Sequence, residues 1–74
     1  MPGKTVDART ALLQVLMTKI ANDRNPSVTM MDMAEELLTP DEMGAYVEIL
    51  LSKIRADNYP SIPMMNRVRS LAGY

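Results

Sequence analysis

From Ala8 onward the apolar residues Ala11, Leu12, Val15, Leu16 and Ile20, joined by Leu13 and Met17, recur at spacings of three and four. That period is the one that places side chains on one side of an α-helix, and here it predicts a helix with a broad apolar face. Thr5 or Asp7 stands where an N-cap is needed. The pattern fades over Asn22–Asn25, because Pro26 lacks an amide donor and biases Asn25 away from the α region. Ser27 then offers a cap for a second helix. Its inner face would be Met30 or Met31 with Ala34, Leu37 and Leu38, leaving Asp32, Glu35 and Glu36 outside.

Thr39-Pro40-Asp41-Glu42 is the clearest local signal in the chain. Thr at the N-cap, Pro at the first helical position and Glu at the third make a capping box. Two acids also fall where the helix dipole favours them. The third helix would run inward through Val47, Leu50, Leu51 and Ile54, turn at Asn58-Tyr59-Pro60, and give way to a fourth. That last helix would be capped by Ser61 and would turn Met64, Met65, Val68 and Leu71 inward, with Pro63 in its first turn. The expected architecture is all-α, with helices at about 7–22, 28–38, 40–56 and 62–72. Helix, short turn, helix is an αα-hairpin, and two of them make the domain.

The two hairpins also look like one another. Residues 5–38 and 39–72 align without a gap at an offset of 34, and 12 of the 34 positions are identical, among them Lys19/Lys53, Asp23/Asp57, Pro26/Pro60, Ser27/Ser61 and both methionine doublets. We read residues 1–74 as a single domain made by internal duplication of a 34-residue hairpin. Gly44 stands where the first unit has Thr10; it either permits a close crossing between helices one and three or is drift. The period is similar to that of a tetratricopeptide repeat in length and in helix–turn–helix architecture. The Trp, Leu-Gly and Tyr pattern of that family has no counterpart here. Two units are also fewer than a solenoid generally stacks.

Composition narrows the function more than it names it. Without Cys or His the chain has no disulfide, no thiolate zinc site and no imidazole base, so no metal or cofactor is expected. Small scaffolds usually need a staple, and self-association is the one left. Eight basic and nine acidic residues, spread along the chain for a net charge of −1, argue against a polyanion-binding surface. No apolar run approaches the roughly 18 residues of a membrane span, and Met1-Pro2-Gly3-Lys4 opens no signal peptide. A cytoplasmic location is the expectation.

Three features invite a chemical reading. Lys19 with Asp23, and Lys53 with Asp57, keep a helical spacing of four, and Ser27 or Ser61 follows each. A tuned lysine beside a serine nucleophile is one interpretation. The stronger one is structural: Asp23 and Asp57 close the turns with Pro26 and Pro60, while Ser27, Ser61, Thr39 and Pro40 start helices. The protein is therefore expected not to be an enzyme and to take no small-molecule substrate. The eight methionines, with doublets at 30–31 and 64–65, suit either core or an adaptable binding face.

Third, helices two and four differ in charge. Asp32, Met33, Glu35 and Glu36 in one correspond to Asn66, Arg67, Arg69 and Ser70 in the other. These faces are complementary, so Met33, Glu35, Glu36, Arg67 and Arg69 are the candidate partner-binding residues. The expected function is a small helical interaction module that forms a homodimer or binds a protein partner through Met, Leu and Ile faces. The alternative is a helix-turn-helix nucleic-acid-binding or regulatory protein. Against it, residues 39–72 balance four bases with four acids and have no Arg-, Asn- or Gln-rich recognition helix.

Overall fold

In the computed structural model, residues 7–57 and 61–73 are described. They form four helices and no strand: α1 Ala8–Asn22, α2 Val28–Leu37, α3 Pro40–Ala56 and α4 Ile62–Leu71. The chain divides into two compact units, Met1–Leu38 and Thr39–Tyr74. In the first, α1 packs on α2; in the second, α3 packs on α4. Among the described residues no helix is long and apolar enough to cross a membrane.

The first unit begins where Asp7, in extended conformation, accepts the Arg9 amide and caps α1. The alternative cap, Thr5, lies outside the described residues. Leu13, Leu16 and Ile20 are buried, as are Met31 and Ala34 of α2, the helix on which α1 packs. This corrects the expected inner stripe of α1. Ala11, Leu12 and Val15 face outward, with Leu12 42% and Val15 51% exposed, while Met17 is half-buried. Apolar residues nearly encircle α1, so its own sequence does not choose a side. Packing against α2 makes that choice, and the side it covers carries Leu13, Leu16 and Ile20.

At the turn, Asp23 ends α1 with an extended backbone while its amide still reaches the Lys19 carbonyl at 2.9 Å. Its carboxylate accepts the Asn25 amide at 3.3 Å, which closes the turn ahead of Pro26. Ser27 Oγ accepts the Met30 amide at 3.2 Å and starts α2. Met31 and Ala34 are its buried residues; Met30, Leu37 and Leu38 are half-buried, and so is Glu35, which was expected outside. Leu38 and Thr39 are both extended, as a residue before Pro40 is required to be.

The second unit opens with the capping box. The Thr39 amide donates to the Glu42 carboxylate at 3.1 Å, and the Thr39 hydroxyl reaches the same oxygen at 2.8 Å. Pro40 occupies the first turn, Asp41 and Glu42 sit at the positive end of α3, and Lys53 and Arg55 at its negative end. Tyr46 and Leu50 are fully buried, whereas Val47, Leu51 and Ile54 are half-buried. Ser61 caps α4 by accepting the Met64 amide at 3.3 Å, and Pro63 lies in the first turn. Met64, Met65, Val68 and Leu71 are all half-buried, so α4 buries no residue completely. Gly73, at φ 90°, ends the helix with an amide to the Ser70 carbonyl at 3.0 Å. A Cβ built on Gly44 meets nothing within 4 Å.

Candidate functional site

The helix-start and turn residues are placed by backbone needs. Ser27 and Ser61 hold their hydroxyl oxygens as acceptors for the amides of Met30 and Met64. Asp23 and Asp57 are both C-cap residues in extended conformation. Pro26 is half-buried beside the first turn; Pro60, with Asn58 and Tyr59, lies outside the described residues. Thr18, Lys19, Asn22, Asp23 and Met30 line a shallow depression of about 380 Å³. No group of three or more carboxylates gathers to hold a metal ion among the described residues.

The candidate contact residues fall on two helices. On α2, Met33 is 40% exposed, Glu36 and Asp32 are exposed, and Glu35 is half-buried. On α4, Arg69, Asn66 and Ser70 are exposed and Arg67 is half-buried. Each helix therefore presents one charged outer side, acidic on α2 and basic on α4. An exposed ion pair, Arg55 to Glu48 at 3.8 Å, decorates α3; a contact of that kind contributes little to stability.

Sequence reading missed a more apolar surface on α1. Ala8, Ala11, Leu12 and Val15 are exposed together on the side away from α2, and Thr18 and Lys19 continue the row. Ala11, Gln14, Val15, Thr18 and Lys19 line a shallow depression of about 530 Å³ there. The signal for it was present: residues 8, 11, 15, 18 and 22 keep alternating steps of three and four, a second stripe behind the first. Val28 and Ile62, the first residues of α2 and α4, are also exposed, at 60% and 61%.

At the other end of this unit Asp7, Thr10 and Arg9 form a chain of contacts. Thr10 Oγ1 donates to Asp7 Oδ2 at 2.8 Å, Arg9 Nη2 donates to Thr10 Oγ1 at 3.0 Å, and Arg9 Nη1 donates to the carbonyl of Leu37. The Thr10 hydroxyl, chiefly, together with the Thr10 and Arg9 amides and the Arg9 charge, holds the Asp7 carboxyl below its ordinary value of 3.8. Comparison with protein-family models, curated proteins and solved structures finds no match to this chain.

Proposed function

We propose that the chain is a non-enzymatic helical interaction module, built from two copies of one hairpin, that works by covering its apolar helix faces with protein. The duplication is supported by α2 and α4, which occupy positions 28–37 and 62–71 and are each capped by a serine immediately before them. Asp23 and Asp57 end α1 and α3 in similar extended conformations. The observation that carries the interaction reading is the incomplete burial of α4. Its entire apolar side, Met64, Met65, Val68 and Leu71, is half-buried, while Leu12, Val15 and Met33 are exposed elsewhere. Apolar surface left in water is surface whose burial stabilises an association, at about 25 cal/mol per Å². Methionines make such faces adaptable, and the unlike charges on α2 and α4 would set orientation more than affinity.

The test is the solution mass by light scattering across a concentration series at low and high salt, alongside the fluorescence of a dye that binds apolar surface. A concentration-dependent rise in mass, or strong dye binding by a monomer, supports the reading. A monomer throughout that leaves the dye dark would overturn it.

A further inference from the structure

All the sulfur in this chain is thioether, in eight methionines and no cysteine. A two-electron oxidant that meets the chain finds no thiol, so its sulfur chemistry falls on methionine. The methionines are not equally within reach. Among the seven described, Met33 alone is exposed, at 40%, whereas Met17, Met30, Met43, Met64 and Met65 are half-buried. Met31, two residues from Met33 on the same helix, is 5% exposed.

The second unit shows what such a helix tolerates at this place. The residue 34 positions on from Met33 is Arg67, and α4 forms as a ten-residue helix with that charge in it. Met33 also stands outside the doublet that the two units share, and Asp32 and Glu36 are exposed on either side of it in sequence. A polar atom added to the Met33 sulfur therefore alters the surface of α2 and not the buried positions Met31 and Ala34. α2 carries three acids and no base. That local field repels anionic oxidants such as hypochlorite and does not oppose a neutral hydroperoxide.

We propose that Met33 is a reversible oxidation site whose oxidant is hydrogen peroxide or an alkyl hydroperoxide. The sulfur lone pair attacks one peroxide oxygen, the O–O bond breaks, and water or an alcohol leaves. The thioether is oxidised by two electrons to the sulfoxide and the peroxide is reduced. A reductase working with a dithiol reverses the step, the dithiol becoming a disulfide and the oxygen leaving as water. The sulfoxide is polar, so the outer side of α2 loses the apolar side chain at its middle. The selectivity stands on exposure; the effect on association rests on the interaction reading above, in which Met33 is a contact.

The experiment treats the full chain with limiting hydrogen peroxide and follows it by peptide mapping, circular dichroism, solution mass and dye binding. Met33 is expected to be oxidised first of the seven, and Met31, reached only when α2 opens, about ten-fold or more slowly. With Met33 alone oxidised, helicity is expected to stay and association or dye binding to fall. Met33→Gln is expected to reproduce that fall without oxidant, Met33→Leu to resist the peroxide, and a methionine sulfoxide reductase with dithiothreitol to restore the starting state. Earlier oxidation of any other of the seven, or loss of helicity at the Met33 step, would overturn the proposal. If the untreated chain associates or binds dye and oxidation of Met33 changes neither, the switch is overturned and the interaction reading stands. A chain that does neither before treatment overturns that reading and the switch together, and the order of oxidation then decides the site alone.

Discussion

The guanidinium of Arg9, in the first turn of α1, donates to the backbone carbonyl of Leu37, the last residue of α2. The last turn of α2 contains no basic residue, and its C-cap Leu38 is extended. A helix end of that kind leaves carbonyls without partners at the negative pole of the dipole, and Arg9 supplies both a donor and a positive charge from the neighbouring helix. The end of α4 is met differently, by its own chain turning through Gly73.

Replacing Arg9 with Met, the residue found 34 positions later at Met43, removes that contact with little change in helix propensity. The expected cost to the first unit is about 1–2 kcal/mol. Urea unfolding followed by circular dichroism measures it, and an unchanged midpoint would show that solvent serves the Leu37 carbonyl equally well.

Asp7 makes the first unit sensitive to acid. Its folded pKa is lowered, principally by the Thr10 hydroxyl, so its ionised form is favoured by folding. The contribution is present above the unfolded value near 3.8 and is lost as pH falls through the lower folded value. Asp7→Asn keeps an N-cap acceptor but not the charge. Wild type is expected to exceed the variant in urea midpoint at neutral pH, with the gap closing in strong acid; a gap that ignores pH contradicts this.

The side of α1 that meets α2 predicts a contrast between two leucines four positions apart. Leu16→Ala is expected to cost about 2–5 kcal/mol because it empties a buried position, and Leu12→Ala less than about 1 kcal/mol. Denaturant unfolding of the monomer separates them. Equal losses would place Leu12 in the core with Leu16.

Gly44 sits inside α3 with open space where a Cβ would go. Gly44→Ala is therefore expected to raise stability by about 1 kcal/mol, the difference in helix propensity. A lower melting temperature would reveal a neighbour that the open space does not suggest.

Where helices begin and end was legible in the sequence because it depends on neighbours a few residues away. Asp7, Ser27, Thr39 and Ser61 present oxygens to the amides that a helix start leaves without partners, and Pro26 and Pro40 bar the helix from continuing through them. The observed bounds accordingly fall within one residue of those read from the pattern. The exposed charges Asp32 and Glu36 of α2 and Arg69 of α4 could likewise be named, whereas Glu35 and Arg67 are half-buried. Which side of α1 is interior could not. Ala11, Leu12, Leu13, Val15, Leu16, Met17 and Ile20 leave it apolar almost all round, and packing against α2 buries Leu13, Leu16 and Ile20 while Leu12 and Val15 stay exposed. Tyr46 is fully buried, and Arg9 finds Leu37 28 residues away. Local chemistry determines the elements; which of several apolar sides is shielded depends on the neighbour that covers it, and that is decided in three dimensions.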